Sequence, residues 1–436
     1  MANIKAFRGI RYNTKRFDDQ MSRLVAPPYD VIDDEQLSAL YEQHINNIVR
    51  MELNRTTAQD QPQNNRYTRA RRYLMDWLAE GELLIEDAPT LYVHEQNFED
   101  EDGRAITRRG FIGLVELADY DERIVLPHER TLRGPKEDRL ALMKATECNL
   151  SQIFMLYNDP EDAIAALLRG ACDTEPFANL TTPDGIVHKL WRVQDPAVHA
   201  QVNAFFKDQQ LLIADGHHRY ETALAYRDFR RECAEVKLEQ APFDFVMTFF
   251  VNMRDDGLVI FPTHRVVHDW ERFDASKLRA DLEAMADFDV RPLEVDTQDG
   301  PALKQALAKA GDKHPSFVLM SREWDAPLLV QFVGDHHADI FREDTPLDVT
   351  ILHEGILERV LGIDRAVQAE GSRISYKKKL HEALSVHTQP NTQLTVLMNA
   401  TPIDQVDTVC RSGGKMPQKS TYFYPKILSG LVINPL

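Results

Sequence analysis

Leu211-Leu212-Ile213-Ala214-Asp215-Gly216-His217-His218-Arg219-Tyr220-Glu221-Thr222-Ala223-Leu224-Ala225-Tyr226-Arg227-Asp228-Phe229 is the stretch on which the fold turns. Gln210 to Ala214 is a short apolar run of the kind a buried strand carries. Asp215-Gly216 breaks it, because glycine permits a tight turn and a close backbone approach. From His217 the pattern is helical. The first N–H groups of a helix, with its dipole, favour an anion, and Arg219 adds a planar fork suited to two phosphate oxygens.

His217 and His218 leave a metal-binding alternative open. Adjacent helical residues point about 100° apart, so the two rarely share one ion. The usual helical pair is i, i+4, which here joins His217 to Glu221 as ligands or as an acid–base pair. A plain helix start with solvated polar residues is the third reading.

Around this stretch the chain reads as α+β. Asp33 or Asp34 caps a helix reaching Tyr41, and another helix fits Arg66 to Leu78, ended by Gly81. Strands at Thr90–Asn97 and Arg109–Leu117 flank the hairpin signal Asp102-Gly103. A helix from Pro135 to Ala145 carries Lys136, Arg139 and Lys144, and Gln152–Tyr157 is a strand. Phe243–Asn252 and Leu258–Pro262 are strands about the Asp256-Gly257 turn. Residues 265–395 alternate helical patterns and short strands, a second α/β or α+β region. The expected division is 1–264 for the anion-binding region with inserted elements and 265–436 for the C-terminal region, ending in a basic loop.

Bulk properties narrow the function. The chain has 436 residues with 43% hydrophobic and 28% charged residues, ordinary for a globular protein. A net charge of −18 disfavours nucleic acid as a partner. Four scattered cysteines without CxxC spacing fit a reducing compartment. No run of 18 apolar residues and no signal-peptide pattern is seen, so the expectation is a cytoplasmic protein, off the membrane, with a homo-oligomer compatible.

Other polar words draw attention. His128-Glu129-Arg130 can position a hydroxyl, accept its proton and neutralise a phosphate, or can be a surface loop with a local ion pair. Pro27-Pro28-Tyr29-Asp30 reads as a rigid loop whose Tyr29 either stacks on a base or is structural. His264 reads as a structural histidine at a strand end. Lys415, Lys419, Ser420, Thr421 and Lys426 form a basic stretch that is either a second anion-binding loop or a solvated tail. It lacks P-loop spacing.

The Asp215-Gly216-His217-His218-Arg219 turn resembles the phosphate-binding signature of the ParB/sulfiredoxin-like fold, and is closest to the turn of archaeal free-serine kinases. The words APPYDVI (26–32), LPHERT (126–131), ADGHHRYETA (214–223), PTHRVV (262–267) and KMPQKSTYFYPK (415–426) resemble the bacterial family called domain of unknown function 1015. The first resemblance implies a mixed-sheet core and a nucleotide, ATP or ADP with Mg2+ carried on it. Gly216, His217, His218 and Arg219 would hold phosphates. The second resemblance, with the chemistry of its words, adds His128 and Arg130, and the basic stretch adds Lys415, Lys419 and Ser420, as further candidate phosphate ligands. Asp215, Glu129 and His217 are the candidate catalytic groups, and no dedicated protein metal ligands are expected.

Two departures limit what carries over. Histidine stands where sulfiredoxin needs cysteine, and ParB's paired arginines and basic helix-turn-helix tail are missing. The resulting expectation is a small-molecule kinase acting on a hydroxyl metabolite, free L-serine first. A nucleotide-binding regulatory switch or NTPase of ParB type and a metal-dependent hydrolase are the alternatives.

Overall fold

The computed structural model describes residues 1–129, 133–233, 240–334, 347–417 and 419–436. It is a mixed α+β protein. The described residues of Met1–Pro127, Thr131–Val259 and Pro425–Leu436 form one compact unit, and those of His128–Arg130 and Ile260–Tyr424 form a second. The chain thus leaves the first unit near Val259 and returns to it at Pro425.

The first unit is built on one nine-stranded sheet. Its strands are β1 (Ile4–Lys5), β2 (Leu91–Glu99), β3 (Ala105–Glu116), β4 (Val125–Leu126), β5 (Ile153–Tyr157), β6 (Ala178–Thr181), β7 (Val187–Val193), β8 (Leu211–Asp215) and β9 (Phe245–Asn252). The order is β4-β8-β5-β9-β3-β2-β7-β6, with β1 also paired to β3. The β4–β8 and β5–β9 pairs are parallel and the others antiparallel, so the sheet is mixed.

The hairpin signal acts as its residues dictate. Gly103 takes a φ of +74°, and β2 and β3 pair from Glu99↔Ala105 to Tyr92↔Ile112. Strands β5, β8 and β9 are nearly continuous apolar runs buried along their length. Phe111 stacks on Phe250 at 4.8 Å between ring centroids, in a core shared with Phe206, Ile213 and Tyr220. Three helices of the first unit are α1 (Arg66–Ala79), α2 (Arg133–Thr146) and α3 (His217–Cys233), and α2 and α3 carry residues of the site. Asn65 caps α1 by accepting from Tyr67 and Thr68 N–H groups. Asp33, not Asp34, caps the helix Asp34–Gln43.

The second unit carries an antiparallel six-stranded sheet. Its strands are β10 (His264–His268), β11 (Phe288–Pro292), β12 (Ser316–Met320), β13 (Leu328–Phe332), β14 (Ile374–Lys377) and β15 (Thr392–Met398), in the order β11-β13-β12-β15-β10-β14. Leu303 and Leu307 of the helix Gly300–Gly311 pack with Ala383, Leu384 and the inner residues of β12, β13 and β15. Antiparallel pairing throughout makes this region α+β in kind.

Candidate functional site

Strand β8 ends in an irregularity that aims the site. Ile213 faces Met155, but Asp215 faces Phe154, so one extra residue is accommodated on β8. Such a bulge re-aims a side chain at a strand end. Gly216 follows with φ +95°, and a Cβ there would stand 3.0 Å from Arg219 Nε. The conformation favours glycine, and any side chain there would make Arg219 shift. Helix α3 begins at His217, as the sequence predicts.

The turn is held by charge. Arg219 Nη2 donates to Asp215 Oδ2 at 2.6 Å, and Arg219 Nη1 donates to the carbonyl of Gln152. Lys426 Nζ donates to Asp215 Oδ1, across 211 residues of sequence. Burial alone would raise the Asp215 carboxyl, but Lys426, Arg219 and His217 outweigh it and hold the group well below the usual carboxylate range. Burial disfavours the Arg219 charge, yet Asp215, Asp30, Tyr29 and Glu52 keep the guanidinium firmly protonated.

Beside Arg219 lies a pocket of about 40 Å³, lined by Glu52, Arg139, Ser151, Arg219 and Thr222 among apolar residues such as Leu142 and Val246. That is room for one to a few waters or a small polar group. Glu52 is 3% exposed. Its Oε1 accepts from Ser151 Oγ at 3.1 Å, while Oε2 has no hydrogen-bond partner among the described residues. Burial raises the Glu52 carboxyl, and Arg139 and Arg219 offset only part of that. Gln152 is fully buried, and neither polar atom of its side-chain amide is bonded among the described residues. Buried polar groups in folded proteins are normally satisfied, so two such groups beside one arginine are unusual.

Neighbouring elements brace the pocket. Arg139 of α2 donates to the Glu52 carbonyl at 2.7 Å and lies 4.2 Å over the Tyr29 ring. Tyr29 therefore already has a cation on its face, and burial pushes its hydroxyl up to about 12. Lys136 of α2 donates to Glu221 of α3 at 2.7 Å, which ties the two helices. His217 and Glu221 are thus on one helix, with Glu221 engaged by a lysine. Among the described residues no group of three or more His, Cys, Asp or Glu side chains is placed to hold a metal.

The remaining predicted residues lie in the second unit. The His128 carbonyl accepts from Met416 N at 2.7 Å, and Glu129 bridges Met416 in parallel pairing. His128 Nε2 is 2.9 Å from Thr421 Oγ1 and 3.8 Å from Glu129 Oε1. So the His128-Glu129 word meets the Lys415–Thr421 loop. In that loop Lys419 has φ +59°, its carbonyl accepts from Arg265 Nη2 at 3.3 Å, and Ser420 Oγ donates to the Pro417 carbonyl. Arg130 lies outside the described residues. The basic C-terminal stretch is therefore divided: Lys415, Lys419 and Ser420 sit in the second unit, while Lys426 serves Asp215 in the first.

Sequence reasoning missed Glu52 and Gln152. Both flank ordinary words, Met51-Glu52-Leu53 and Ser151-Gln152-Ile153, and carry no spacing signal. Only tertiary burial distinguishes them.

No helix among the described residues is long and apolar enough to cross a membrane. No curated protein matches the chain. Similar solved structures include a conserved hypothetical protein from Pyrococcus furiosus, 15% identical, with a TM-score of 0.35 over 72% of this chain and 91% of that one. They also include a mutant free serine kinase in complex with ADP, 12% identical, with a TM-score of 0.37 over 73% of this chain and 91% of that one. SbnI with a C-terminal truncation, from Staphylococcus aureus, is 10% identical, with a TM-score of 0.34 over 73% of this chain and 85% of that one. The family described as protein of unknown function (DUF1015) matches residues 4–346, and the chain belongs to that family.

Proposed function

We propose that the first unit is a small-molecule kinase of ParB/sulfiredoxin-like fold, moving a phosphoryl group from ATP or ADP to the hydroxyl of a small metabolite. Free L-serine is the acceptor of first choice. The observation that carries the reading is the pocket lined by Arg139, Arg219 and buried Glu52, one oxygen of which is unbonded among the described residues. Phosphoryl transfer needs little more than positioned cations and an acceptor for one proton.

The donor's phosphates lie against the Gly216 turn, the start of α3 and Arg219, where a helix N-terminus and a planar fork both favour anions. Mg2+ arrives on the nucleotide. The acceptor hydroxyl lies against Glu52. Its oxygen forms a bond to the transferred phosphorus as the bond from that phosphorus to the leaving phosphate breaks, and its proton passes to Glu52. A carboxyl raised by burial is a better base than an ordinary one. Asp215 suits this less well, because two cations hold it low and weaken it as a base. Its place in the proposal is to position Arg219. Glu129 and His128, which belong to the second unit, are not used in this proposal.

Glu52→Gln tests the assignment. Nucleotide affinity should stay within a few-fold of wild type while phosphoserine formation falls by about 10²–10⁴-fold, the usual contribution of a general base. In the wild-type protein the acid limb of the rate profile should lie above the ordinary carboxylate range, since the base must be ionised. A Glu52→Gln protein with undiminished transfer would falsify the role. Nucleotide hydrolysis that is indifferent to serine and other hydroxyl compounds would favour the regulatory switch instead.

A further inference from the structure

Among its described residues the second unit buries a positive charge without a negative one beside it. Arg265 of β10 is fully buried. Nη1 donates to the Thr263 carbonyl and faces Met398 Sδ at 2.7 Å, a weak acceptor. Nη2 reaches the Lys419 carbonyl at 3.3 Å. The Tyr376 ring lies 5.5 Å away. Among the described residues no carboxylate pairs with it. Buried arginines are rarely left so, because a charge removed from water costs several kcal/mol unless compensated.

The edge that normally grips an anion is the least satisfied. Nε and Nη2, the fork that takes two carboxylate or phosphate oxygens, stand 3.2 and 3.0 Å from a single atom, His353 Nε2. The tautomer is fixed by geometry. Gln368 Nε2 donates to the Ile363 carbonyl at 2.8 Å, which turns Gln368 Oε1 toward His353 Nδ1 at 2.6 Å. Nδ1 therefore carries the proton, and Nε2 offers one neutral lone pair to two N–H groups. Burial, with Arg265 beside it, keeps this imidazole uncharged, its pKa down at about 3.

Two features show strain at the same place. His353 lies on the wide-turned helix Ile351–Glu358, where Arg359 N bonds the Glu354 carbonyl and Leu361 N bonds the Ile356 carbonyl, five residues back. Such turns are rare and frequently lie at functional sites, and relaxing one to an α turn swings a side chain by about 100°. Lys419 holds a left-handed conformation that few non-glycine residues adopt, and its carbonyl is the one on Arg265.

We propose that the second unit carries an anion site of its own, in which the Nε/Nη2 edge of Arg265 takes two oxygens of a phosphate group, His353 being the neutral stand-in that the anion displaces. Lys419, whose carbonyl Arg265 holds, stands at its edge. This site stands on observations separate from those at Glu52.

The test is titration calorimetry of the full chain with inorganic phosphate in chloride buffer. Wild type should bind, Arg265→Gln should lose at least tenfold in affinity, and His353→Ala, which frees the fork, should bind several-fold more tightly. Phosphoserine titrated in parallel distinguishes a phosphorylated metabolite from free phosphate. Phosphate affinity in Arg265→Gln within twofold of wild type overturns the proposal, since it places binding elsewhere, the Gly216 turn included. Should Arg265→Gln fail to fold, His353→Ala decides alone, and unchanged affinity there overturns it equally.

Discussion

The Asp215–Lys426 pair can be broken from either side, and the two breaks should not add. Asp215 and Lys426 side chains are 16% and 14% exposed, so their charges are mostly out of water. Removing one partner of a buried pair costs about 3–5 kcal/mol, because the other is left uncompensated. Lys426→Met keeps the aliphatic stem and leaves Asp215 with Arg219 at 2.6 Å, so its loss should fall at the low end of that range. Asp215→Asn leaves two cations facing a neutral amide and should fall at the high end. In the double variant the second change removes a group already unpaired, so the coupling should be about 2–3 kcal/mol, near the top of what contacting residues show.

Urea unfolding of the four proteins measures this cycle, and repeating it against pH adds a sign. A carboxyl held low in the folded state contributes stability that is present above its unfolded value, about 3.9, and is lost as pH falls through the folded one. Lys426→Met raises the folded value, so less of that stability remains and its loss on acidification is complete at a higher pH. Single-variant losses that add within about 0.5 kcal/mol, with acid limbs superimposed, would refute the pairing.

Further predictions follow from individual residues. Burial raises the Asp348 carboxyl to about 6, so stability from its protonated form is lost as pH rises through 6; Asp348→Asn should be more stable than wild type at pH 8 by up to ~3 kcal/mol and flatter between pH 4 and 8 by thermal melts. Gln152→Leu removes an unsatisfied buried amide while sparing the backbone carbonyl that holds Arg219, and should gain about 1–3 kcal/mol in urea. Gly216→Ala forces an L side chain to φ +95° and presses on Arg219, and should cost about 1–3 kcal/mol together with a measurable loss of nucleotide affinity in a binding titration.

What the sequence disclosed and what it hid divide along a physical line. Strand, turn and helix at 211–229 were legible because their causes are local: an apolar run, a glycine with positive φ and a helical period. The Asp102-Gly103 hairpin and the Asp33 cap were legible for the same reason. Glu52 was not, since a carboxylate becomes unusual only when Ser151, Arg139 and Arg219 close around it from distant segments. Lys426 was noticed as part of a basic run, but its neighbours in sequence gave no hint that it leaves them for Asp215. Arg265 was visible within a family word; that it is buried without a counter-charge depends on β14, β15 and the helix bearing His353.

The return of Pro425–Leu436 to the first unit bears on the order in which the molecule can be made. Ile433 exchanges backbone bonds with Ile10, Asn434 pairs with Asn149, and Leu436 N donates to the Glu147 carbonyl. These segments leave the ribosome after the whole second unit. At about 5–20 residues per second, the 211-residue separation of Asp215 and Lys426 represents ~10–40 s of synthesis. Throughout that interval the nascent turn holds Asp215 and Arg219 without their lysine. Translation stalled within the second unit would therefore leave a first unit with its sheet formed and its anion-binding turn incomplete.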